Sequence, residues 1–133
     1  MANIAQPMQK SMLDWALLGA TPTRPGATFV GLATGTPTSI ASSEVATGSG
    51  YLRQSASFGA AATPASSGSV SNQNPMTFGP FSSSQVLSGL FVADTVSSGA
   101  GTLLFYGNLA TVRTPLVGDS LVIAAGALSI TLN

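Results

Sequence analysis

Eight side chains carry all the formal charge of this chain: Lys10, Arg24, Arg53 and Arg113 against Asp14, Glu44, Asp94 and Asp119. There is no His and no Cys. The commonest general base and transition-metal ligand are therefore missing, as are a thiol nucleophile, a zinc ribbon and a disulfide framework. The four acids lie far apart, and none falls in a D-x-D-x-D-G pattern that would cradle calcium. Gly48-Ser49-Gly50 resembles a fragment of a phosphate loop, but a strand follows where a helix N-terminus is needed, so it reads as a turn. A Ser–Lys dyad would have to use Lys10, which falls on the polar side of a helix, i, i+4 from Asp14. The expectation is a protein that is not an enzyme and needs no metal or cofactor.

Arg53 is the most informative of the eight. It shares a strand face with Tyr51, Ser55 and Ser57, which suits an outward guanidinium on a polar strand face. It equally suits a bidentate ion pair with a partner's carboxylate, a geometry Lys cannot match. Arg24 and Arg113 stand beside prolines in loops and allow the same two readings. Trp15 either fastens a helix to the rest of the fold or presents an interface anchor.

The elements that position these residues are short. Pro7 fits a first helical turn, and Met8, Met12 and Trp15 recur at i, i+4 and i+7 with Leu13, Ala16 and Leu17 beside them. Gly19 is placed to end that helix, and two prolines in residues 21–26 prevent its continuation. Strand patterns follow at 27–34, 51–58, 76–81, 86–93, 102–109, 121–124 and 127–132, with turn material between them and a Ser/Gly-rich hairpin loop at 94–101. Residues 38–50 and 60–74, rich in Ser, Ala, Thr and Gly, read either as solvated loops or as arms that order on a neighbour. No second helix is available for a βαβ unit. The expected fold is all-β, an antiparallel β-sandwich or jelly roll with one N-terminal α-helix. It forms a single domain, 1–133, with an N-terminal arm and helix at 1–20 and the sandwich at 27–133.

Composition narrows function further. Charged residues are 6% of 133, the net charge is zero, hydrophobic residues are 44% and mean hydropathy is +0.41. Four scattered cations cannot form a basic patch, so neither nucleic acid nor an anionic membrane is expected as a partner. The chain is too apolar for disorder by charge. Its longest apolar stretch, 121–132, is about half of what a membrane helix needs. No signal peptide is read, so a protein that is cytosolic or assembled in the cytoplasm is expected. A neutral, hydroxyl-rich surface favours association with copies or partners.

Six stretches, in order, carry a resemblance. They are S-M-L-D-W-A-L-L-G (11–19), F-V-G-L-A-T (29–34), G-S-G-Y-L-R-Q-S-A-S-F (48–58), M-T-F-G-P-F (76–81), L-F-Y-G-N-L (104–109) and G-D-S-L-V-I-A-A-G-A-L-S-I-T-L-N (118–133). Together they resemble the capsid cement, or decoration, proteins of short-tailed phages, such as that of a Bordetella phage. The chain departs from that pattern at 82–94, where S-S-S-Q-V-L-S-G-L-F-V-A-D stands in place of a tryptophan and an acidic cluster. The resemblance implies a jelly-roll protein on the outer capsid surface of the virion, bridging major capsid protein subunits, and a homo-oligomer, dimer or trimer, on the head. The candidate contact residues are Met1, Asn3, Ile4 and Gln6 in one arm and Glu44 in a second, with Arg24, Arg53 and Arg113. The alternatives are a tail or head fibre module that binds a receptor, or a head–tail connector component. Against a fibre stands the absence of internal repeats and of a coiled-coil stalk.

Overall fold

A computed structural model describes residues 3–23, 25–60 and 68–132. Its first elements are β1 (Asn3–Ile4) and α1 (Gln6–Leu18), with Pro7 in the opening turn as expected. Gly19 ends α1 with φ 70°, a left-handed conformation in which glycine has no Cβ to clash, and its N–H reaches the Asp14 carbonyl. Met8 packs against the core, yet no residue of α1 is buried.

The strands that follow are β2 (Phe29–Ala33), β3 (Gln54–Ser55), β4 (Gly68–Ser71), β5 (Met76–Phe78), β6 (Leu87–Ala93), β7 (Leu103–Arg113), β8 (Leu121–Ile123) and β9 (Ser129–Leu132). Five form one sheet in the order β1-β7-β6-β2-β3; β4 with β9 and β5 with β8 form two ribbons. Every one of these pairings is antiparallel. Among the described residues the fold is thus all-β with one N-terminal helix. The jelly-roll form of the expectation goes further than the described pairing, which gives one larger sheet and two ribbons.

The core lies between that sheet and the ribbons. Val30, Leu32 and Val92 from the sheet meet Met76, Phe78, Leu128 and Ile130 from the ribbons and their flanks. Period-two alternation sends the intervening residues of β2 and β6 to the opposite face. There Gly31 pairs with Phe91, and a Cβ on Gly31 would come within 2.6 Å of the Tyr51 hydroxyl. A bare backbone at position 31 is what lets Tyr51 approach the strand.

Several sequence expectations change. The arm at 1–6 is part of this chain's own sheet in its described residues: Asn3 and Ile4 pair with Tyr106 and Phe105, and the Gln6 N–H bonds the Ser39 carbonyl at 2.9 Å. The 38–50 stretch also folds back. Thr34 N–H bonds the Ser43 carbonyl at 3.0 Å and Val45 N–H the Leu32 carbonyl at 2.9 Å, extending the β2 edge beyond β3. Of the second Ser/Ala-rich stretch, residues 61–67 lie outside the described residues, while 68–71 form β4. The expected strand at 51–58 pairs as a strand only over Gln54–Ser55. Tyr51 and Arg53 point inward and then Ala56 does, so the alternation changes phase between Arg53 and Gln54.

Candidate functional site

The phase change at 53 and 54 places two polar side chains inside the molecule. Gly48 and Gly50, with φ 87° and 76°, turn the chain back toward β2, and Tyr51 and Arg53 follow on the inward side. Leu52, between them, is 68% exposed, while Arg53 is 5% exposed. The expectation of an outward polar face is corrected here: the hydrocarbon side chain faces water and the guanidinium does not.

What makes this tolerable is Glu44. Arg53 donates from Nε to Glu44 Oε1 and from Nη2 to Glu44 Oε2, both at 2.8 Å. Arg53 Nη1 donates to the Thr95 and Ala100 carbonyls at 2.8 and 3.0 Å. Glu44 accepts two further bonds, from the Tyr51 hydroxyl at 2.9 Å and the Gly99 N–H at 2.8 Å. Tyr51 in turn accepts from the Leu32 N–H at 3.0 Å. The guanidinium carbon sits 5.1 Å from the centre of the Phe91 ring, a cation–π arrangement. Arg53 thus makes a bidentate ion pair, but with a carboxylate of its own chain where the sequence reading had a partner's. Five parts of the molecule converge on this cluster: β2, the 38–50 fold-back, the 51–53 approach, β6 and the hairpin loop between β6 and β7.

The electrostatics follow from burial set against pairing. Burial pushes the Glu44 carboxyl up, but the hydrogen bonds from Arg53, Gly99 and Tyr51 outweigh it and hold the group below its ordinary 4.5. Burial pushes the Tyr51 phenol well above its ordinary range, and the adjacent Glu44 charge adds to this. The phenol thus keeps its proton and donates a hydrogen bond to Glu44. For Arg53, burial acts against the charge and Glu44 more than restores it. A carboxyl held below its unfolded value stabilises the fold above that value, and the contribution disappears as pH falls through the folded one. The urea midpoint should stay level from pH 7 to about 5 and fall below about 4.5. In Glu44→Gln the acid-limb drop should be shallower. An equal acid slope in both proteins would show that Glu44 contributes nothing to it.

The other interface candidates are dispersed. Asn3 and Gln6 are exposed and Ile4 is half-buried, at an edge already paired with β7. Arg113 is exposed at the end of β7, opposite Leu87. Met1 and Arg24 lie outside the described residues. Among the six described candidates, Glu44 and Arg53 are the pair brought together from separate segments; Arg53 is buried, the Glu44 side chain is 8% exposed, and their charges are paired with each other.

A second polar centre was not foreseen. Asn72 is 2% exposed; its amide donates to the Asn74 and Ala124 carbonyls at 2.8 and 3.0 Å and accepts from the Leu128 N–H at 2.9 Å. It fastens the β8–β9 turn to the start of β5. Its place in a Ser- and Asn-rich stretch concealed it, and the only local signal was an amide suited to turn bonding.

Buried polar groups are here spent on joining loops to a sheet, and no buried side-chain N or O atom among the described residues lacks a partner. Such an arrangement defines a braced antiparallel β module, with its distinctive chemistry used for fastening. Residues 3–131 match the family described as podophage GP4 fiber I protein gp80. The chain belongs to that family, and it is a structural protein of a short-tailed phage. No curated protein matches it.

Proposed function

We propose that this chain is a building subunit of a fibre on the virion of a short-tailed phage, acting by contact and carrying out no reaction. The observation that carries the reading is the family match over residues 3–131, a family described by a fibre protein. The same match speaks for the fibre alternative ahead of the cement role. Cement bridging through free arms is further weakened because Asn3–Ile4 and residues 43–45 are already hydrogen-bonded within the chain's own sheet. Exposed apolar side chains at 13, 15, 17, 18 and 52 supply surface for contact with other fibre components.

The test is immunogold labelling of purified virions with antibody raised against the full chain. Gold confined to projecting fibres is the expected result. Even coverage of the head would replace this reading with the cement role, with the major capsid protein as the partner. Label at one vertex without fibres would favour a connector.

A further inference from the structure

Two loops enclose a groove of about 520 Å³ above the Arg53 guanidinium, a size within the ~300–1,000 Å³ of small-molecule sites. Residues 39–43 make one wall, residues 99–103 the other, and the buried Arg53 and Phe91 lie at the floor. Arg53 is the only charged side chain lining it, and Glu44 already neutralises that charge. A guanidinium carries five N–H groups. Four of those on Arg53 go to Glu44 and to the Thr95 and Ala100 carbonyls; the fifth, on Nη2, has no acceptor among the described residues. The hydroxyls of Ser39, Ser42 and Thr102 on the walls make no hydrogen bond to another described residue, and that of Ser43 reaches only the Thr36 carbonyl, at 3.4 Å. Beside them stand the aliphatic side chains of Leu103 and of Ile40, which is 74% exposed.

These walls are set in advance. Glu44 holds the Gly99 N–H and Arg53 the Ala100 carbonyl, so the ion pair itself fixes the far wall. On the near wall Ser43 has φ 51°, the one non-glycine residue with positive φ among the described residues, and its carbonyl accepts from the Thr34 N–H. Strain of that kind persists where the surroundings enforce it, and it clusters at ligand sites. Fastening two loops does not require an ion pair, since apolar residues in its place are often as stable. We propose that the groove binds a neutral sugar ring. Each hydroxyl of a pyranose both donates and accepts, as do the Ser and Thr hydroxyls of the walls, and its C–H face suits Ile40 and Leu103. One sugar oxygen accepts from Arg53 Nη2. An anionic ligand is disfavoured because Glu44 cancels the guanidinium charge. A peptide is disfavoured because its backbone bonds pair with a strand edge, whereas these walls offer hydroxyls. None of these observations uses the family match, so the inference does not rest on the fibre reading.

Nuclear magnetic resonance on the nitrogen-15-labelled full chain tests this, with glucose, galactose, mannose and N-acetylglucosamine as probes. Each is added to about 100 mM, which fills nine-tenths of a site whose Kd is about 10 mM. At least one sugar should give saturable shifts at the Gly99, Gly101 and Thr102 amides and at Arg53 Nε–H. Ser42→Ala and Thr102→Val should each weaken that binding about fivefold, the effect of one lost hydrogen bond. Ala41→Trp, which fills the groove from an exposed position, should abolish it, and all three variants should keep wild-type circular dichroism. Ser84→Ala, exposed and outside the groove, should bind as wild type does. The proposal is overturned by the absence of saturable shifts with all four sugars, or by shifts that survive Ala41→Trp. Tighter binding of glucuronate than of glucose would make the groove an anion site instead. Saturable shifts with acetyl-Ala-Ser-Ala-amide and none with sugars would make it a peptide site. Outcome pairs separate the two ideas: fibre labelling without sugar shifts removes the groove alone, and sugar shifts with label over the head remove the fibre reading alone.

Discussion

Arg53→Ala should lower the unfolding free energy at pH 7 by about 3–5 kcal/mol, measured by urea denaturation followed by far-ultraviolet circular dichroism. The deletion removes both bonds to Glu44 and leaves a carboxylate 8% exposed with its counter-charge gone. It also strips the Thr95 and Ala100 carbonyls of their donor, so the hairpin loop loses its anchor to the sheet. Glu44 can relieve its own penalty by taking up a proton, because burial without a guanidinium raises its pKa. The deficit against wild type should therefore narrow as pH falls toward 4. Replacing both partners with apolar residues, Arg53→Met with Glu44→Leu, should cost less than Arg53→Ala alone, since no unpaired charge is then buried. A loss under about 1 kcal/mol, unchanged between pH 7 and 4, would mean water already screens the pair.

Phe78→Ala should cost about 3–5 kcal/mol by the same measurement. Phe78 is fully buried at the end of β5, among the largest side chains in the core. Its ring stacks on Tyr51 with centroids 6.2 Å apart and planes 13° from parallel. Truncation removes apolar burial, leaves a cavity between the ribbon and the sheet, and frees one face of Tyr51. Because Tyr51 donates to Glu44, part of the effect should pass to the ion pair. Phe78→Ala and Glu44→Gln together should then depart from additivity. Strict additivity in the double-mutant cycle would show that the core and the polar cluster are energetically separate.

The helix was readable because its determinants are local. Pro7 and Gly19 mark its ends within the span of one hydrogen bond, and both act as expected. The hairpin loop at 94–101 was readable for the same reason, since Ser and Gly cluster where β6 gives way to β7. Leu128 and Ile130 alternate with polar neighbours and both are buried. The 51–58 stretch failed because it alternates cleanly in sequence but not in space. Nothing local marks the change of phase at Arg53, which is set by where its hydrogen-bond partners lie, 42 and 47 residues further on. Trp15 shows the opposite failure. Its spacing with Met8 and Met12 matched a packed stripe, and the structure leaves it 63% exposed at the end of a helix whose contact with the core is made by Met8.

By itself the sequence determined the class of fold, the one helix and its ends, the turns, and a chemistry with neither His nor Cys. All of these depend on residue type or on neighbours within a few positions. Tertiary structure alone decided that Glu44 and Arg53 face each other indoors, that Asn3–Ile4 completes a sheet with β7, and that the apolar end of α1 is left facing outward. Each of those outcomes depends on which distant segment occupies a given side of a strand or helix. A side chain's solvation and its available partners are known only once that long-range placement is made.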